Sequence, residues 1–134
     1  MQNEHEFIIL NRPRFLKRGL TIRTNGRIIL RSQPCQLLGL SAGDKISFII
    51  MCSQMYIVKS DTIPDGIPLS GRPGQLHGCS VNTTRQLFLY TANIPPGAKS
   101  VDLIVSDQLT TLTIHGKECP ALTVVNKADS KHCH

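Results

Sequence analysis

The sequence predicts a mainly β fold of short strands and tight turns, and three observations carry that expectation. Apolar residues make up 40% of the chain, yet it has no Trp, two Tyr and four Phe, so any core must be built mostly from Ile, Leu and Val. Such β-branched, aromatic-poor composition, with eight Pro and ten Gly, favours frequent reversals over long helices. The dipeptide Asn25-Gly26 is a strong hairpin signal, because it accepts the positive φ that a two-residue turn demands. At 134 residues the chain has the length of one ordinary domain or of two very small ones.

Taken in order, Phe7 to Leu10 reads as a short apolar strand, and Asn11 to Arg18 (NRPRFLKR) as a basic arm kept extended by Pro13. Together they form an N-terminal region at residues 1–18. A module follows at 19–59. Its first strand runs through Leu20, Ile22 and Thr24, with the apolar pair facing inward and Arg23 outward. After the Asn25-Gly26 turn a second strand spans Arg27 to Leu30. A short helix follows, capped by Ser32, tolerant of Pro34 in its first turn and ended by Gly39. A turn at Ala42-Gly43-Asp44 leads into a hairpin of Ile46 to Ile50 and Met55 to Val58, with the Asp44 carboxylate available to the turn's backbone donors.

The order Gly26-Arg27, a short apolar strand, a short helix, Leu38-Gly39-Leu40 and Gly43-Asp44 before Ile46 and Phe48 resembles the AbrB/MazE family of swapped-hairpin DNA-binding modules. Where that family places a Pro after the apolar strand, this chain has Leu30-Arg31 and its nearest Pro at 34. The resemblance implies a small β-barrel of two strand-helix-hairpin units with two short helices. A module of this length cannot usually bury enough apolar surface alone, so it requires a second unit. In the family that unit is another copy, which implies a homodimer unless two units pair within one chain. The resemblance also implies double-stranded DNA as partner, contacted by the first hairpin and its approach: Lys17, Arg18, Arg23 and Arg27, with Arg31 at the helix start and Arg12 and Arg14 on the arm. Arg27 is equally suited to fixing its turn.

The Pro- and Gly-rich run from Ser60 to Cys79 shows no period and reads as a loop, with a linker at residues 60–77. A second unit is expected at 78–125. It comprises a strand Cys79 to Val81, an N-cap at Asn82, a helix Thr83 to Ala92 with Leu87, Phe88 and Thr91 on one side, strands at Val101 to Val105 and Leu109 to Ile114, and a last strand Ala121 to Val125. IPPGAKSVDLIV echoes LSAGDKISFII, aligning Leu40 with Ile94, Gly43 with Gly97 and Lys45 with Lys99. Either the chain holds a degenerate internal repeat, or the second half is an accessory domain and the shared Gly belongs to any strand-turn-strand unit. Residues 126–134 read as a disordered tail.

Charge is distributed unevenly. The net charge is +6, and from Phe7 through Gly43 there are seven basic residues and no Asp or Glu, which points to a polyanionic partner. The cysteines at 35, 52, 79, 119 and 133 form no CxxC pair, Met1 to Phe7 is polar and acidic, and no apolar run is long enough to span a bilayer, so a cytoplasmic, non-membrane protein is expected. Cys35, Cys52 and Cys79 read as small core residues. His115, Cys119, His132, Cys133 and His134 lack the spacing of a structural zinc site, so no metal and no cofactor is expected. With no GxSxG, no Walker-type loop and His77 read as a loop residue, no catalytic set emerges and the chain is not read as an enzyme. These observations lead to sequence-dependent DNA binding, as a transcriptional regulator or, in a related role, an antitoxin. The alternative is a structural or assembly protein, such as a phage or mobile-element component, that docks partners on its strand edges.

Overall fold

The computed structural model describes residues 18–60 and 63–128. The expected strand at Phe7 to Leu10, most of the basic arm, and residues 129–134 lie outside them. Nine strands and two helices follow in the order β1 (Arg18–Arg23), β2 (Arg27–Leu30), α1 (Ser32–Leu38), β3 (Lys45–Met51), β4 (Gln54–Lys59), β5 (Ile67–Pro68), β6 (Ser70–Arg72), β7 (Gln75–Cys79), α2 (Val81–Tyr90), β8 (Ser100–Ile114) and β9 (Lys117–Val124).

All strands belong to one antiparallel sheet with the order β5-β3-β4-β9-β8-β1-β2-β7-β6. The segment from Ile67 to Arg72 supplies both ends of that order, lying along β3 as β5 and along β7 as β6, so the sheet curls into a nearly closed barrel. Each hairpin of the first half is bordered by strands from later in the chain. The β1–β2 hairpin lies between β8 and β7, and the β3–β4 hairpin between β5 and β9. Hairpin, helix, hairpin describes β1–β2, α1, β3–β4, and it also describes β6–β7, α2, β8–β9. Backbone detail recurs too: Gly39 and Asn93 follow the two helices at φ 65 and 62, and Gly43 and Gly97 turn at φ 98 and 76.

Alternation along the strands decides what is buried. Leu20 and Ile22 of β1, Ile28 and Leu30 of β2, Ile57 of β4, Leu76 of β7, Leu103 of β8 and Leu122 of β9 are all fully enclosed in one cluster. A smaller cluster of Val58, Leu112, Cys119 and Ala121 lies where β8 and β9 run on together. No helix among the described residues is long and apolar enough to cross a membrane.

Several local expectations are corrected. The turn after β1 is a three-residue loop, Thr24-Asn25-Gly26, because Ile22 pairs with Ile28. The Gly26 N–H donates to the Arg23 carbonyl and Gly26 takes φ 102, the left-handed position that closes such loops. Helix α1 starts from Arg31 with no side-chain cap, so Ser32 is its first residue, not its cap. The run read as an aperiodic linker contains β5, β6 and most of β7. Its strands are too short to show a period, and Pro73-Gly74, with Gly74 at φ 90, is the turn between β6 and β7 rather than a sign of loop.

In the second half, the strand lies at Gln75–Cys79, and Ser80 rather than Asn82 caps α2 by accepting from the Thr83 N–H at 3.2 Å. The helix therefore runs over Val81–Tyr90, with Thr84 and Leu87 buried. Leu109 to Ile114 is the continuation of β8 and not a returning strand. Ser106 Oγ accepts from the Gln108 N–H at a bulge where the register with β9 shifts, and the reversal comes at His115-Gly116, both at positive φ. Strand β9 then includes Pro120. Residues 126–128 of the expected disordered tail are held in place instead: the Ala92 N–H donates to the Asn126 carbonyl, the Ala128 N–H donates to the Ala92 carbonyl, and Ala128 is buried. Cys35 and Cys119 are buried, whereas Cys52 and Cys79 are exposed, which corrects their reading as core residues.

Two measurements check this packing. Ile22→Ala should lower unfolding free energy by about 3 kcal/mol in a denaturant titration, the loss of a fully buried side chain with the cavity it leaves. Burial pushes the Cys35 thiol pKa up, partly offset by a backbone hydrogen bond at Leu76, so Cys35 stays protonated at neutral pH. Alkylation followed by peptide mass mapping should label Cys52 and Cys79 quickly and Cys35 only after unfolding.

Candidate nucleic-acid interface

The outer face of β1 and β2 is set by the same alternation that fills the core. With Leu20, Ile22, Ile28 and Leu30 pointing in, Thr21, Arg23, Arg27 and Ile29 are left on the other side. Continuing the register of Ile22 with Ile28 by one pair sets Arg23 opposite Arg27 across the base of the three-residue loop. Both are exposed, and among the described residues no carboxylate lies within ion-pair distance of either. Asn25 Oδ1 accepts from the Arg27 N–H at 3.0 Å, which ties the loop down. The Thr24 N–H donates to the Lys99 carbonyl, bringing the backbone of a third basic residue alongside, and the Gly26 carbonyl accepts from the Ser80 N–H ahead of α2.

Arg31 has a different environment. Its Nη2 donates to Thr21 Oγ1 at 2.9 Å, Thr21 Oγ1 donates to Asp102 Oδ1 at 2.6 Å, and Arg31 lies 3.8 Å from the same carboxylate. This network joins the start of α1 to β1 and β8, and it covers Thr21, which is 4% exposed although it points outward. Arg31 is about half-exposed, so its guanidinium ties α1 to β1 through Thr21 while keeping a face to solvent. Arg18 opens β1 opposite Ile104, with its side chain outside the described residues, as are Arg12, Arg14 and Lys17 entirely. Of the seven sequence-derived contacts, the structure brings together Arg23 and Arg27 and places Arg31 further along the same face.

Sequence reasoning missed the neighbours of that pair. His77 is on β7 and not in a loop, opposite Ile29 on one side and Ser70 on the other, and Cys79 lies opposite Arg27. Between β2, β7 and the segment from Pro68 to Ser70 a cleft of about 350 Å³ opens on this face. The signal existed in the alternation Leu76, Gly78 inward and His77, Cys79 outward, but Gly78 in the inward position hid it.

A second, more apolar cavity of about 270 Å³ lies elsewhere, between β3, Ile63 to Ile67 and the Thr83, Leu87 and Tyr90 side of α2. Strand β5 covers only Lys45 and Ile46 of β3, so from Ser47 to Met51 that edge has no partner strand among the described residues. No cluster of three or more His, Cys, Asp or Glu residues with metal-binding geometry occurs among the described residues.

No family model, no curated protein and no solved structure matches this chain. The interface therefore rests on its own geometry. Thr21→Val, which removes the hydroxyl shared by Arg31 and Asp102, should lower stability by about 1 kcal/mol in thermal or chemical unfolding while leaving the surface Arg23 and Arg27 untouched.

Proposed function

We propose that this protein binds double-stranded DNA through the outer face of its first hairpin, as a transcriptional regulator or, in a related role, an antitoxin. The observation that carries this reading is the exposed Arg23–Arg27 pair, set opposite each other at the loop end of the β1–β2 hairpin with no carboxylate opposing them among the described residues. Facing a duplex, an Arg of this pair can reach guanine edges bidentately in the major groove or hold phosphates. The basic arm carrying Arg12, Arg14, Lys17 and Arg18 leads into this hairpin in the chain and would add phosphate contacts.

The interleaved hairpins support a finer reading, in which the chain is an intramolecular counterpart of the AbrB/MazE swapped-hairpin dimer. The β1–β2 and β8–β9 hairpins each lie between strands of the other half, as hairpins of the dimeric family lie between strands of a second copy. On this reading a single chain completes the barrel.

The stretch of β3 without a partner strand among the described residues favours a second reading, an assembly platform that docks partners by strand pairing, where arginines would contribute little. Salt dependence separates the two. With about five phosphates neutralised, log K for a random-sequence duplex should fall against log salt with a slope near -4.5. Arg23→Ala should weaken binding and make that slope shallower by about one if Arg23 holds a phosphate, or relax preference at one base pair if it reads an edge. No retardation of duplex DNA at about 50 mM salt removes the DNA reading.

A further inference from the structure

We propose that the cleft between β2, β7 and the Pro68–Ser70 segment seats one phosphorylated nucleotide unit, a proposal that rests on the DNA-binding reading and narrows it to one recognition element. Every polar side chain facing this cleft can donate a hydrogen bond. Arg27 brings a fixed positive charge and a planar fork suited to phosphate oxygens. Asn25 spends its amide oxygen on the Arg27 N–H, which leaves its amino group as the available end. Ser70 and His77, a cross-strand pair, supply a hydroxyl and a ring N–H. Among the described residues no carboxylate lines the cleft, so none of their side chains repels an anion there.

Size and shape point the same way. About 350 Å³ lies within the range of small-ligand sites, which begin near 300 Å³, and leaves room for a sugar beside a phosphate. Pro68 gives that sugar an apolar wall. Gly78 lets this wall come close, since a Cβ there would meet the Pro68 carbonyl oxygen at 2.9 Å and Ile67 Cγ2 at 2.8 Å. The phosphorylated sugar could come from a DNA strand or from a free nucleotide, and the chemistry of the seat is the same for both.

Cys79 makes the proposal measurable, because it lines the cleft and is exposed, while Cys52, also exposed, sits in the β3–β4 turn and does not line it. Deoxyadenosine monophosphate at about ten times its Kd should slow alkylation of Cys79 in the full chain by about tenfold, following 1 + [L]/Kd, with Cys52 unchanged as internal reference. Ser70→Val, at an exposed strand position, should abolish that protection while leaving the unfolding midpoint in place; Arg27→Lys should weaken it by keeping charge without the fork. If a random-sequence duplex also protects Cys79 and competes with the nucleotide, the seat holds a unit of the DNA strand. If the nucleotide protects but the duplex neither protects nor binds, the seat stands with a free nucleotide as its source and the DNA reading falls. If the duplex binds while the nucleotide leaves Cys79 labelling unchanged and Ser70→Val leaves duplex affinity unchanged, the cleft proposal is overturned and the DNA reading survives. If neither binds, both fall.

Discussion

The structure depends on one constraint: neither half of the chain can satisfy its own strand edges or cover its own apolar face. Leu20, Ile22, Ile28 and Leu30 make the β1–β2 hairpin apolar on one side, yet its bordering strands β8 and β7 come from the second half. The β3–β4 hairpin depends likewise on β9 and on the short β5. Backbone groups left unpaired away from water and aliphatic side chains left in water are both costly, and interleaving the hairpins removes both penalties at once. Folding of the barrel is therefore a property of the two halves together.

That same packing produces the candidate interface. Because inward positions are taken by aliphatic residues, the alternate positions must face out, and on β1 and β2 the outward set contains Arg23 and Arg27. The polar bridge of Arg31, Thr21 and Asp102 then holds α1, β1 and β8 in register behind them. Stability and surface chemistry here are two faces of one alternation. Moving any of these strands by one residue would bury the arginines and expose the core.

The two halves are alike in plan and unlike in detail, and the difference is where the second half adds features. Strand β1 covers β8 over several residues, but its counterpart along β3, the short β5, covers only two positions. This leaves an apolar groove beside α2 on one part of the barrel. Strand β8 in turn runs far beyond the barrel's need, extending with β9 around its own small cluster of Val58, Leu112, Cys119 and Ala121. A chain built from two equivalent units would show neither asymmetry.

By itself the sequence determined the mainly β class, the first module nearly element by element, the inward Leu20 and Ile22 and the outward Arg23, because each of these follows from period-two alternation and from Gly or Pro at turns. It could not place β5, β6 and β7, whose two to five residues interrupted by Gly71, Pro73 and Gly74 carry no readable period. Nor could it tell the bulge at Ser106–Gln108 from a turn, since both are short polar interruptions between apolar runs; the pairing with β9 decides it. Only tertiary structure set His77 and Cys79 beside Arg27, linked Arg31 to Thr21 and Asp102, and interleaved the halves, because each of those outcomes is fixed by which strand lies next to which across the sheet, a relation between distant residues that no local pattern contains.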